Sequence, residues 1–319
     1  MRAALLDAVA RVLSPAVKLW NTGHGANIIR EAVSLLGGLG VTEDSPGFLG
    51  QKWMDAQLEA TYEGPEAVQR RQLAHAMTDE VFLRQFEGWV EDMRAIASER
   101  PGTGTCVLAT AMGLWLWTLR HLQRATDPGG AKLYQASRQG VSFPMADALA
   151  WLLAARQQAL DVVELERMGK RNESFGARAQ DLVPTLMDLC HVQTARAGGE
   201  VARICVDLVY GYRRHPSWDE PGRSTCFGGA ELESLEDVIP GISATARFYG
   251  DVVEIDGSHA SKAGPCSTVE GLQPFERLRA KLDACLTGSR LAKDRAADAL
   301  THVVIPDAPD YPPPIPRRD

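Results

Sequence analysis

Apolar residues recur every three or four positions through most of the chain, which is the spacing of one buried face of an α-helix. Near the start, Leu5, Val9 and Leu13 share such a face, and Ile29 and Val33 carry a second one. The pattern predicts a mostly helical, all-α protein built from two helical bundles and a loop-rich C-terminal segment.

Turn-forming residues set the predicted ends of these helices. Pro15 is placed at a helix start, Gly37 caps a helix C-terminus, and Thr78 is a suitable N-cap. Pro144 and Pro184 mark either helix starts or kinks. The predicted helices span residues 2–13, 16–36, 51–61, 65–77, 78–99, 106–125, 142–172, 176–212 and about 272–299.

Breaks in the helical pattern divide the chain into three predicted regions. The stretch SERPGTGT at 98–105 separates a first helical domain, 1–99, from a second, 105–212. Residues 213–319 form a loop-rich segment that contains the last predicted helix, and VVEID at 252–256 predicts a short strand. The tail IPDAPDYPPPIPRRD is rich in proline and predicts an extended surface segment.

The composition narrows the possible functions. A net charge of −7 leaves no basic excess to neutralise phosphates, so we expect no nucleic-acid partner. The six cysteines form no CxxC pair; we therefore expect no metal site and free thiols in a reducing cytoplasm. The apolar run at 107–119 is too short to cross a bilayer, so we expect no membrane partner. Tryptophans in apolar helical faces are predicted to lie in the core: Trp89, Trp115, Trp117 and Trp151.

The candidate chemistry of the chain centres on residues 30–72. LLGGLG, which ends at Gly40, is followed by Asp55, by Tyr62-Glu63-Gly64 and by Gln69-Arg70. Taken singly, each piece has an ordinary interpretation: a helix cap and turn for the glycines, and a solvated first-turn acid for Glu63. A plain position on a helix surface is as good an interpretation as a functional role for Asp55, Gln69 and Arg70.

In this order and spacing, the motifs resemble the C-terminal helical bundle of the flavin-dependent acyl-CoA dehydrogenases. That family carries an aromatic-Glu-Gly-Thr corner, a helix with Gln-Arg, and a Gly-Gly-x-Gly loop upstream. The resemblance covers about residues 14–98, and longer members append a further helical domain. It implies an incomplete acyl-CoA dehydrogenase-like bundle in 1–99, followed by a second helical bundle.

The resemblance also implies site roles. Glu63 would be the base that takes the α-proton of an acyl-CoA thioester, while a hydride passes to the flavin. Gly64, without a side chain, would let the substrate approach closely, and Tyr62 would line the pocket. The residues implied in binding FAD are Gly37, Gly38, Gly40 and Gln69.

Several features depart from the family pattern. Pro65 replaces the corner threonine, Ser34 replaces a glutamine, and Met54 replaces a basic residue. The chain also begins near the third helix of that bundle, so we expect a fragment or one subunit of a complex. The FAD would be shared with absent domains or with a partner subunit, and helices 16–99 would expose a broad apolar surface.

These features leave competing hypotheses. In the first, the chain contributes to an acyl-CoA dehydrogenase and is active only with the N-terminal part, passing electrons to an electron-transferring flavoprotein. It would then form a homo-oligomer, or a hetero-oligomer with an N-terminal-half subunit. In the second, it is a non-catalytic helical scaffold subunit or an inactive fragment of the same family. In the third, it is an unrelated helical bundle that matches by chance.

Overall fold

Helices dominate the described part of the chain. The computed structural model describes residues 2–42, 48–127, 129–171, 173–212 and 272–300. Within these ranges no β-strand forms, and one isolated bridge pairs Thr126 with Lys132. The all-α fold class is confirmed. The helices are α1 (Arg2–Leu35), α2 (Leu49–Glu59), α3 (Glu66–Ala76), α4 (Glu80–Glu99), α5 (Thr105–Arg124), α6 (Gln139–Arg171), α7 (Glu173–Tyr210), α8 (Gln273–Cys285) and α9 (Ser289–Ala299).

The first helix is longer than the sequence pattern predicts. A new helix was expected to begin at Pro15, but α1 runs unbroken through that residue. A proline inside a helix removes a backbone hydrogen bond and clashes with the preceding turn, which costs about 3 kcal/mol. Pro15 is buried in α1 along with Val12, Ala16 and Leu19, and this packing offsets the local penalty. The break predicted at Pro15 is wrong.

The two longest helices also contain prolines. Pro144 lies in the second turn of α6, and Pro184 lies in the interior of α7, so neither begins a helix. The two helices run antiparallel: a Cβ on Gly140, at the start of α6, would lie 3.5 Å from the hydroxyl of Tyr212, just beyond α7. Helices α1, α3 and α5 all pack on this pair.

One continuous core joins the first helical region to the second. Phe86 on α4 lies 4.9 Å from Trp115 on α5, measured between ring centroids. The indole N–H of Trp115 donates to the carbonyl of Met145 on α6 at 3.0 Å. The cluster of buried side chains extends from Ala8 to Leu282. The division into domains at residues 99 and 105 stays a prediction, and the helices on either side of it share this core.

Of the tryptophans predicted to be buried, Trp89 and Trp115 are buried, and Trp117 and Trp151 are partly buried against the same cluster.

The connection between α3 and α4 corrects a predicted cap. Asp79, rather than Thr78, caps α4: its carboxylate accepts a hydrogen bond from the Val81 N–H at 2.8 Å. The Thr78 hydroxyl instead donates to the His75 carbonyl at 3.0 Å. Asp79 takes the cap because its backbone is extended, which is the conformation of an N-cap residue.

The last predicted helix is divided in two. Leu286–Gly288 separates α8 from α9, and Gly288 has φ +80°, a left-handed conformation that favours glycine. This turn packs on α7, where the ring nitrogen Nε2 of His191 forms a 3.1 Å hydrogen bond with the Thr287 carbonyl. The single helix predicted at 272–299 is wrong for that reason. The predicted strand at 252–256 and the proline-rich tail lie outside the described residues.

The N-terminal region exposes many large apolar side chains, and the broad apolar surface on helices 16–99 stays a prediction. Thirteen of the eighteen large apolar residues that are exposed in the described ranges fall within residues 1–78. Leu35 is 86% exposed, and Met54 is 70% exposed. The helices of the described ranges include none with the length and hydropathy needed to cross a membrane.

Candidate functional site

Glu63 lies at the turn between α2 and α3, in an unusual backbone conformation. Its φ is +51°, and that of Gly64 is +95°, so the chain makes two successive left-handed steps. Among the described residues other than glycine, only Phe48 shares a positive φ. For an L-residue this conformation costs roughly 1–2 kcal/mol, and such strain concentrates at functional sites.

Two side chains from other elements hold this turn in place. Lys18 on α1 donates from Nζ to the Tyr62 carbonyl at 2.7 Å. The buried side chain of Gln69 on α3 donates from Nε2 to the Gly64 carbonyl at 3.0 Å. The carbonyl groups just before and just after Glu63 are therefore both fixed.

Tyr62 lies at this corner, and the residue is 43% exposed. Its hydroxyl donates to Oε2 of Glu59 at 2.7 Å, and the Lys18 ammonium lies 4.9 Å from the ring centroid. The hydrogen bond to Glu59 is the main reason that the pKa of Tyr62 is raised. The phenol therefore stays neutral and can act as an apolar wall with one polar edge.

The carboxylate of Glu63 is exposed and forms no hydrogen bond or ion pair with any residue in the described ranges. Its backbone is held on both sides, and no described residue engages its carboxylate. An unengaged carboxylate on a fixed backbone is available to act as a general base for an external substrate.

The glycine segment after α1 contains accessible positions and a packed one. Gly37 has φ +58° and ends the helix, which confirms the predicted cap. A Cβ on Gly37 or Gly38 would meet nothing within 4 Å, and both residues are exposed. Gly40 is buried, and a Cβ there would lie 2.3 Å from the Val33 carbonyl oxygen. The backbone at Gly37 and Gly38 is thus open to a ligand, whereas Gly40 is required for packing.

The glycine segment and the Glu63 corner lie at opposite ends of α2. Gly50, in the first turn of α2, packs against the backbone of Gly40, and Glu63 follows the last turn. A helix of 11 residues is about 16 Å long at 1.5 Å per residue. A compact ligand cannot touch both ends of this helix.

The Gln-Arg pair is engaged inside the protein. Gln69 is 7% exposed, and its amide is used at Gly64. Arg70 donates to Glu66 at 3.0 Å and to Asp147 on α6 at 2.8 Å. Asp55 is exposed on α2. Gln69, implied in binding FAD, and its neighbour Arg70 therefore have internal partners that the sequence did not show.

Sequence reasoning also missed the residue that holds the corner from α1. Lys18 lies 44 positions before Tyr62, and nothing in its local sequence distinguishes it from a solvated helix lysine. Its role arises because α1 packs alongside α3 and α2. No motif or spacing marks a contact of this length.

An open cleft of about 410 Å³ lies on α5, away from the predicted site residues. It offers cationic and aromatic groups, although Arg120 is already bound by both carboxylate oxygens of Glu80. The cleft is lined by Trp117, Arg120, His121, Arg124 and Ala125.

Within the ranges that the structure describes, no cluster of three or more His, Cys, Asp or Glu residues is arranged to hold a metal ion.

Comparison with known families gives one match in the first part of the chain. Residues 1–78 match the family described as acyl-CoA dehydrogenase, C-terminal domain. The match confirms the resemblance to the acyl-CoA dehydrogenase family and contains both the glycine segment and the Glu63 corner. It covers about a quarter of the 319 residues. No curated protein and no solved structure matches the chain.

Proposed function

We propose that this acyl-CoA dehydrogenase C-terminal segment supplies the proton-abstracting group for α,β-dehydrogenation of an acyl-CoA thioester. Glu63 is the base. The observation that carries the proposal is the strained corner, in which Lys18 and Gln69 fix the carbonyls on both sides of an unpartnered carboxylate. A protein that fixes such a conformation at a cost gains from the position of that side chain.

The chain's own groups account for the positioning and for the proton transfer. The α-hydrogen of a thioester is acidified by the neighbouring carbonyl, and an oriented carboxylate can remove it. The space that a Cβ on Gly64 would fill is taken by the Gln69 amide, 2.5 Å from that position, so we assign Gly64 to shaping the turn beside Glu63. Tyr62, neutral and half-exposed, forms one wall for the acyl chain. The proton passes to a carboxylate oxygen of Glu63.

The described residues fit a flavin only in part. Gly37 and Gly38 offer an exposed backbone with no side chain in the way, which suits the approach of a diphosphate group. Gly40 and Gln69 are used internally, so we assign them a supporting role in shaping these two elements. When bound, FAD supplies the acceptor for the β-hydride.

The proposed reaction needs a partner that completes the flavin site. The many exposed apolar side chains of residues 1–78 are suited to such an association. We propose that this partner is a subunit carrying the N-terminal half of an acyl-CoA dehydrogenase, or further sequence of the same protein. A second copy of the chain completes the oligomer, and an electron-transferring flavoprotein reoxidises the flavin.

A second candidate function has specific support. Pro65 provides no hydroxyl at the corner, and the side chains of Gln69 and Arg70 are both engaged internally. A scaffold subunit that keeps the family fold without its chemistry would show these features. In that case the same apolar surface would bind a partner whose flavin does not contact Gly37 or Gly38.

Co-expression with an acyl-CoA dehydrogenase N-terminal half distinguishes the two functions. The complex is purified, its flavin content is read from absorbance, and acyl-CoA-dependent reduction of a dye is measured. We expect Glu63→Gln to reduce turnover at least 1,000-fold, on the order of the loss of a positioned base, with unchanged flavin content. Glu31→Gln, an exposed acid on α1, is the matched control and should keep full turnover.

The remaining outcomes are informative. Full activity in Glu63→Gln would place the base on another residue. A stable, flavin-containing complex without any thioester oxidation would favour the scaffold function.

A further inference from the structure

Helices α5 and α8 run antiparallel in a register that three contacts define. Trp117 and Phe275 lie 5.2 Å apart between ring centroids. Toward the start of α5, a Cβ on Gly113 would lie 4.0 Å from Leu278. From the first pair to the second, the contact shifts toward the N-terminus of α5 and toward the C-terminus of α8.

The third contact lies near the N-terminus of α5. A Cβ on Gly198 of α7 would lie 2.7 Å from a methyl of Val107 and 3.4 Å from a methyl of Leu282. A methyl of Leu286 would lie 3.8 Å from the same Cβ. The first turn of α5 is therefore level with the last turn of α8.

This register brings two cysteines together. Cys106 is in the first turn of α5, next to Val107, and Cys285 is the last residue of α8, next to Leu286. Cys106 lies seven residues before Gly113, and Cys285 lies seven residues after Leu278, so each cysteine is on the helix face that meets the other helix. Cys106 is exposed, and Cys285 is partly exposed, so small reagents can reach the pair.

We infer that Cys106 and Cys285 form a redox-active dithiol that closes to an intramolecular disulfide in the presence of a peroxide. One thiolate attacks a peroxide oxygen, giving a sulfenic acid and, after proton uptake, water. The second thiol displaces the hydroxyl from that sulfur, forming the S–S bond and releasing another water. Two thiols are oxidised, and one hydrogen peroxide is reduced to two waters.

The other described cysteines are unsuited to this reaction. Cys190 and Cys205 are buried, and burial raises the pKa of each thiol to about 12. A buried thiol with little thiolate reacts slowly. Burial, followed by the neighbouring Cys285, also raises the pKa of Cys106, so its exposure and the facing thiol distinguish it from Cys190 and Cys205.

The bond would tie α8 to α5 across the whole second helical region. The bond would close residues 107–284 into a loop. Closing a long loop removes conformational freedom from the unfolded chain. The oxidised chain should therefore unfold at a higher temperature than the reduced chain. This inference is independent of the proposed catalytic function.

Peptide mapping of the full-length chain tests the inference. The reduced protein is treated with hydrogen peroxide, its remaining thiols are alkylated, and a non-reducing tryptic digest is analysed by mass spectrometry. We expect a linked pair of peptides carrying Cys106 and Cys285, a loss of two of the six thiols, and a higher Tm that reductant reverses. Cys106→Ser and Cys285→Ser should each abolish the link and the Tm change, and Cys190→Ala should retain both.

Other results would overturn the inference. These are an unchanged thiol count, a link from either residue to Cys226 or Cys266, a covalent dimer, or a lower Tm after oxidation. The linked peptides identify the bond directly, so the conclusion does not depend on how well the serine variants fold.

Discussion

The buried amide of Gln69 donates a 3.0 Å hydrogen bond to the carbonyl oxygen of Gly64, five residues earlier in the chain. This bond closes the turn between α2 and α3 from the α3 side, while Lys18 closes it from α1. The backbone conformation at Glu63 therefore depends on two side chains outside the turn itself.

Removing the Gln69 amide should loosen this turn. In Gln69→Ala the Gly64 carbonyl loses its partner, which we expect to lower the free energy of unfolding by about 1–2 kcal/mol. Denaturant unfolding measures the change. Gln72→Ala, at an exposed position on the same helix, is the control and should change stability by less than about 0.5 kcal/mol. Equal effects in the two variants would contradict a specific role for the bond.

A side chain at Gly64 should be destabilising. The φ of +95° is unfavourable for alanine, and its Cβ would lie 2.5 Å from Nε2 of Gln69. We expect Gly64→Ala to cost at least about 1 kcal/mol. Gly25→Ala, within α1 and with nothing within 4 Å of the new Cβ, should instead stabilise by about 0.5–1 kcal/mol. Thermal unfolding of both variants checks this opposite sign.

The ion pair between Arg70 and Asp147 should couple the first helical region to α6. Both side chains remain 26–36% exposed, so water screens the pair and we expect a coupling energy of only about 1 kcal/mol. A double-mutant cycle with Arg70→Met and Asp147→Asn measures it. A coupling energy near zero would show that the contact is only a surface pair.

Acidification should partly rescue the Arg70→Met variant. Burial raises the pKa of Asp147, and Arg70 acts against that shift, so removing Arg70 raises this pKa further. A raised folded-state pKa means that the folded protein binds the proton more tightly than the unfolded chain, so stability is gained as pH falls. The deficit of the variant relative to wild type should shrink between pH 7 and pH 5 in parallel denaturant titrations.

His24 should make the wild-type protein less stable in mild acid. Burial lowers its pKa, as does the nearby Arg196, while Glu66 and Glu200 act in the opposite direction. Because the pKa of His24 is lower in the folded state, its contribution to the free energy of unfolding is complete above about pH 6.5. This contribution is lost as the pH falls through the folded-state pKa. We therefore expect Tm to fall between pH 7.5 and pH 5.5.

Two variants isolate the contribution of His24 in the same Tm measurements. Measured between ring centroids, His24 lies 3.9 Å from Trp20 and 4.5 Å from Trp151. His24→Phe should therefore keep these contacts and reduce the dependence of Tm on pH. His75→Gln, at an exposed site, should leave it unchanged. An unaltered pH profile in His24→Phe would assign the effect to other groups.

The exposed apolar surface of residues 1–78 should drive association. Leu35→Ser and Met54→Ser together should reduce the oligomeric mass measured by light scattering, with little change in Tm, because both side chains are largely exposed. Leu291→Ser, at an exposed position on α9, is the control and should not change the mass. A chain that is already monomeric at high concentration would argue against an interface on this surface.

The sequence alone determined the helical class, most helix positions and the resemblance to the acyl-CoA dehydrogenases, which the match over residues 1–78 confirms. These depend on local periodicity and on short-range motifs: apolar residues three or four apart, Gly37 at a helix end, and the order of the glycine segment and Tyr62-Glu63-Gly64.

Only the tertiary structure decided which local signals are overridden. Pro15 does not break α1 because burial offsets its penalty, and Gly288 divides the last helix because its turn packs on His191. The site likewise depends on distant residues: Lys18 reaches Tyr62 from 44 positions away, and Arg70 reaches Asp147 across 77. Such contacts arise when helices pack, and no pattern within a few residues of either partner encodes them.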